Sequence, residues 1–120
     1  MLNYIDFFAA KLTDKDSNMR SHIRFIICKI FEKNLHLKDE VVLGRNAILK
    51  ANKEALITVG DKLVLKDNTC IQAVTGKIII GDCVFFNRNC NLCCRELVEI
   101  GDMVMFGSNV AIWDHNHLFG

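Results

Sequence analysis

A mainly β coil of short strands and turns, three flat sides to each turn and two short helices in front of it, is the fold class that this sequence predicts. Three observations carry it. The phrases "VGDKLV" at Val59, "IGDCVF" at Ile80 and "IGDMVM" at Ile100 are near copies of one another, with a fainter "LGRNAI" at Leu43. Internal repetition outranks local propensity as a structural signal. Within and after each phrase a large apolar residue returns every six positions: Val59, Leu65, Ile71; Ile80, Phe86, Leu92; Ile100, Phe106, Ile112. A period of six matches neither the three-and-four spacing of a helix nor the alternation of a lone strand.

If each six is one flat side, the large residues point inward and stack on their counterparts one coil away. The stack buries an aliphatic ladder that no single hexapeptide could bury alone. Four residues after most ladder positions stands a smaller residue (Thr69, Thr75, Val84, Cys90, Val104, Val110). Glycines 60, 81 and 101 are expected at corners, where the lack of a Cβ permits conformations that other residues resist. Asn89 reads as a corner residue too, since asparagine tolerates the left-handed conformation. The step from Ile71 to Ile80 is nine and that from Leu92 to Ile100 is eight, so small loops are expected at "TGK" from Thr75 and "CRE" around Arg95.

The first forty residues read as a helical cap, and residues 41–120 as the coil. Ile5, Phe8 and Leu12 form one helical stripe; Ile23, Ile26, Ile27, Ile30 and Phe31 form a second, with Ser17 or Ser21 as its cap. Packing on the first coil and closing its open end is the simpler role for this segment, because a solenoid needs its terminal edges protected. The run "FIICKIF" leaves a peripheral membrane contact as the alternative. No proline and no Gly/Ser linker mark a second domain.

Totals exclude several classes. Fifteen basic against fourteen acidic residues give a net charge of +1, so no polyanion-binding surface is indicated and nucleic acid is not an expected partner. The longest uncharged stretch, residues 103–113, is eleven residues, short of the roughly 20 that a spanning helix needs. The amino terminus lacks the basic region and apolar run of a secretory signal, which places the protein in the cytoplasm with its six cysteines as reduced thiols. "CNLCC" at Cys90, with His115 and His117 downstream, raises a zinc site. Cys90 falls on a packing position of the repeat, and no metal is expected.

The repeat resembles the hexapeptide-repeat acyltransferases over about two-thirds of the chain, residues 41–120. That resemblance implies a left-handed parallel β-helix, an exception to the usual right-handed crossover. The stretch "VEIGDMVMFGSNVAIWDHNH" is similar to the O-acetyltransferases of capsular and exopolysaccharide synthesis and to those of the galactoside and maltose type. By that similarity His117 is the catalytic histidine and Asn87, in "FFNRNC", contacts the acceptor. The two would face one groove, lying between subunits of a homotrimer, with acetyl-CoA along it as co-substrate and a sugar or nucleotide sugar as acceptor.

The chemistry suits these residue types. An imidazole with a pKa near 6.5 can take the proton of a hydroxyl as it attacks a thioester. The tetrahedral intermediate then needs a fixed donor for its oxyanion, which the sequence does not identify. Asp114 is expected to accept from a sugar hydroxyl or an imidazole N–H, or to be a solvated corner residue; His115 is read as an acceptor-side residue and Trp113 as a lining of the donor groove. His22 and His36 read as solvated. Arg95 stands where related sugar acetyltransferases have an acidic residue, and the coils that follow this motif in the family are absent before Gly120. The chain therefore reads as an incomplete β-helix, a fragment or one whose end another chain covers. A sugar N-acetyltransferase is the neighbouring alternative. A non-catalytic trimeric scaffold without a donor site is the alternative from another class, and a cysteine-based metal or redox site is the third.

Overall fold

A computed structural model of the chain describes residues 33–38 and 40–115. The two expected helices and His117 lie outside the described residues. Twelve short strands make four successive coils: β1 (Leu35–His36), β2 (Val41–Leu43), β3 (Ile48–Ala51); β4 (Ala55–Val59), β5 (Leu63–Leu65), β6 (Cys70–Ala73); β7 (Gly76–Ile80), β8 (Val84–Phe86), β9 (Asn91–Cys94); β10 (Leu97–Ile100), β11 (Met105–Phe106) and β12 (Ala111–Trp113). Every third strand pairs in parallel, so the chain winds around three sheets: sheet A (β1-β4-β7-β10), sheet B (β2-β5-β8-β11) and sheet C (β3-β6-β9-β12). Strand pairing begins at Leu35, inside the stretch assigned by sequence to the helical cap. No helix among the described residues is long and apolar enough to cross a membrane.

Register turns the period of six into columns. Leu43, Leu65, Phe86 and Phe106 stack inside sheet B, and Leu49, Ile71, Leu92 and Ile112 inside sheet C, with Val59, Ile80 and Ile100 inside sheet A. The rings of Phe86 and Phe106 lie 4.4 Å apart and 13° from parallel, a separation set by the strand spacing of about 4.8 Å. Removing each such side chain from water contributes on the order of 1.5–3 kcal/mol. The columns carry the fold.

Corners follow one rule. Asn46, Asn68, Asn89 and Asn109 take φ of 59 to 63° between sheets B and C, as expected of Asn89; Lys62, Cys83 and Met103 take 57 to 62° between sheets A and B. Glycines 60, 81 and 101 do occupy corners, but none has a positive φ. Their smallness serves stacking instead: a Cβ on Gly60 would collide with Asp82 Oδ1 and lie 2.8 Å from the Gly81 backbone, and one on Gly81 would collide with Asp102 Oδ1. The conformational freedom is used at Gly76 (φ 76°), where the "TGK" loop rejoins sheet A against the Glu96 carbonyl.

The small inward residue is misplaced by the sequence in one column. Thr75 is exposed, with Oγ1 donating to the Arg95 carbonyl (2.6 Å). Sheet C ends its inward line two residues after the ladder position instead, with Ala51, Ala73 and Cys94 in register. Among the described residues Thr69 is the buried polar residue of the core; its Oγ1 donates to the Asn87 carbonyl (2.7 Å) and accepts from the Cys90 N–H (3.3 Å).

Candidate functional site

Strand alternation sets up the corner where "IWDHNH" begins. In β12 Ile112 points inward and Trp113 outward, so Asp114 continues the inward line of Ala51, Ala73 and Cys94. A carboxylate at the top of an apolar column must find donors. Three backbone groups of the coil below supply them: Arg95 N–H donates to Oδ1 (2.8 Å), and Glu96 and Leu97 N–H donate to Oδ2 (2.7 and 2.9 Å). The Cys94 thiol lies 3.5 Å from Oδ2, and His115 Nδ1 lies 3.2 Å from Oδ1.

The electrostatics follow from these contacts. Burial alone would raise the Asp114 pKa, but the Arg95, Glu96 and Leu97 N–H groups and His115 outweigh it and hold the carboxyl well below the usual carboxylate range. Cys94 moves the other way: burial first, then the Asp114 charge, pushes its thiol up to about 11. It is a protonated donor at neutral pH, bonded also to the Lys77 carbonyl (3.2 Å).

Asp114 and His115 are thus brought together, with side-chain exposures of 13% and 12%. Asp114 Oδ1 is within hydrogen-bond distance of the His115 imidazole, and the carboxylate also holds a turn of the coil below, which the sequence does not indicate. The alternation of "IWD" around the ladder residue Ile112 is the signal that marks it as inward. Trp113, 58% exposed, stands on the outer face of sheet C above Cys93.

Asn87 occupies a different corner, between sheets B and C and one coil lower. Its Oδ1 accepts from Arg88 N–H (2.8 Å), and its Nδ2 has no hydrogen-bond partner among the described residues. The four-residue strand β9 separates the two corners, about 13 Å at roughly 3.3 Å per residue. Asn87 and Asp114 therefore flank the outer face of sheet C within one chain without meeting. Of the cysteines raised as metal ligands, Cys90 and Cys94 are buried and donate to carbonyls while Cys93 faces outward. Among the described residues no group of three or more histidine, cysteine or acidic side chains is placed to hold a metal. The five described cysteines are free thiols.

These features define a class of architecture, a parallel β-solenoid of about four turns compatible with hexapeptide-repeat winding. Comparison with protein-family models, curated proteins and solved structures finds no match to this chain.

Proposed function

We propose that this chain is an acetyl-CoA-dependent O-acetyltransferase acting on a sugar hydroxyl in cytoplasmic steps of polysaccharide biosynthesis, working as a homotrimer. The observation that carries the reading is the rigid corner at Asp114. Three backbone N–H groups of the coil below bind its carboxylate, so the backbone leading to His117 departs from a fixed point. Fixed geometry is what a general base needs, because misplacement of an ångström costs rate.

In this reading His117 takes the hydroxyl proton while the sugar oxygen attacks the thioester carbonyl. Collapse of the tetrahedral intermediate breaks the C–S bond, releasing CoA as the thiol and leaving the acetyl ester on the sugar. Asn87 positions the acceptor through its uncommitted Nδ2. In this reading the trimer brings Asn87 of one copy beside the corner at Asp114 of its neighbour, so that one groove receives both. Trp113, exposed on sheet C, lines the donor side.

A second reading rests on Asp114 itself. A carboxylate fully engaged in holding a turn fits a solenoid that serves only as a trimeric scaffold. Thiol release from acetyl-CoA, measured over a panel of sugars and nucleotide sugars, separates the two. The enzyme reading expects turnover with at least one acceptor and a loss of about 10²–10⁴-fold in His117→Ala. Absence of turnover with every acceptor leaves the scaffold. A product stable to mild base would be an amide, and the acceptor an amino sugar.

A further inference from the structure

Two thiols share the outer face of sheet C. Strand alternation turns Cys70 outward beside the inward Ile71, and Cys93 outward between the inward Leu92 and Cys94. Cys70 pairs with Asn91 and Gln72 with Cys93, so the two cysteines stand diagonally across β6 and β9, one strand apart and two residues apart along the strand direction. At about 4.8 Å per strand and 3.3 Å per residue, their Cα atoms lie about 8 Å apart. Both are free and partly exposed. Burial first, then the charge of Cys93, raises the Cys70 pKa, so each thiol senses the other.

That diagonal decides what can join them. It exceeds the roughly 7 Å over which a disulfide closes without moving the backbone. A cation bonded to both sulfurs at about 2.3 Å each spans about 4.6 Å, and the remaining 3.5 Å or so is shared by two side chains leaning toward each other in staggered rotamers. The surroundings then select the cation. Lys50 is the one charged residue among the outward strand positions of this sheet, and no carboxylate accompanies it. Magnesium and calcium need oxygen ligands, and a structural zinc needs four ligands. Among the described residues no three histidine, cysteine or acidic side chains are placed to share an ion. Two thiolates alone suit a soft cation that is satisfied by two ligands.

We propose that Cys70 and Cys93 form a two-coordinate site for Cu(I) on the outer face of sheet C. One Cu(I) and two thiols give an anionic bis-thiolate and two released protons, with no change of oxidation state. Lys50, diagonal to Cys70 on the same face, supplies a neighbouring charge of opposite sign. Cys94 is not a ligand: it faces the interior, where its thiol is bonded to the Lys77 carbonyl and lies against Asp114. The site does not depend on the acetyl-transfer reading, and its test uses no acetyl-CoA.

The full chain, reduced and titrated anaerobically with Cu(I) against a chromophoric Cu(I) chelator, should take up one tight equivalent. Alkylation mapped by mass spectrometry should then show Cys70 and Cys93 protected together, while Cys83, at a corner between sheets A and B, keeps its metal-free rate. Cys70→Ser and Cys93→Ser should each weaken uptake by more than the roughly 10–100-fold that loss of an outer partner costs a metal site, and each should leave the other cysteine unprotected. Should either variant fail to fold, X-ray absorption of the Cu(I)-loaded native chain gives a second answer, with two sulfur neighbours expected. No tight uptake, protection of Cys93 that survives in Cys70→Ser, a third sulfur on the copper, or an ion shared between two copies would overturn the proposal.

Discussion

Gly81→Ala and Gly101→Ala place the same methyl group in the same "IGD" phrase at two heights of the stack. At Gly81 the new Cβ collides with Asp102 Oδ1 and lies 2.8 Å from the Gly101 carbonyl carbon and 2.9 Å from Asp102 N. The coils must separate locally, at about 1–3 kcal/mol for overpacking. The displaced carboxylate also gives up its bond from the Asp82 N–H (2.7 Å), worth about 0.5–1.5 kcal/mol. Reduced freedom of the unfolded chain returns about 0.4–1 kcal/mol. The net loss is about 2–3 kcal/mol, on the order of 10 °C in Tm for a chain of this size. At Gly101 a Cβ meets nothing within 4 Å, and φ is not positive, so only the gain of about 0.4–1 kcal/mol remains. Thermal and urea unfolding followed by circular dichroism would measure the gap of about 3 kcal/mol between the two variants. Equal destabilisation at both sites, or a neutral Gly81→Ala, would show that stacking distance is not why these corners carry glycine.

Asp114→Asn should lower stability at pH 7 by about 1–3 kcal/mol, because an amide offers one acceptor oxygen to three backbone N–H groups. The native pKa of Asp114 is depressed, so its contribution is complete above the unfolded value of about 3.9 and is lost as pH falls below it. Urea midpoints of the two proteins should therefore converge between pH 4 and more acid conditions; a gap independent of pH would remove charge from the explanation. Native-state alkylation mapped by mass spectrometry should label Cys93 well before its neighbour Cys94. Cys93 faces outward, while Cys94 is buried, protonated at neutral pH and bonded to Lys77 and Asp114.

The coil was legible because its physics is periodic. Val59, Leu65, Ile71, Ile80, Phe86 and Leu92 are all buried, and Phe106 and Ile112, on the fourth and last described coil, are half-buried against the same core. What escaped depends on contacts between coils, which a repeat read along one line does not contain. The reason for glycine at 60 and 81 lies in a carboxylate some twenty residues ahead. Thr69 is inward and polar because the carbonyl it serves belongs to Asn87. Asp114 was legible as a polar residue near a corner, but its three donors belong to a turn one coil below. The strands of sheet B, "VVL", "LVL" and "VFF", did carry a readable signal: three apolar residues in a row mark burial on both faces. Asn87 was legible as a residue type in a phrase; the corner it occupies required the winding.

The carboxylate bonds at the corners all run one way. Asp67 receives the N–H of Arg45, Asp82 that of Asp61, Asp102 that of Asp82, and Asp114 those of Arg95, Glu96 and Leu97. In each case the later coil supplies the oxygen and the earlier one the donor, so a coil's corners stay unfinished until its successor has been made. A ribosome adding about 5–20 residues per second completes a turn of this size every few seconds. Synthesis and closure then proceed in the same order, each turn sealing the one just behind it as the chain emerges.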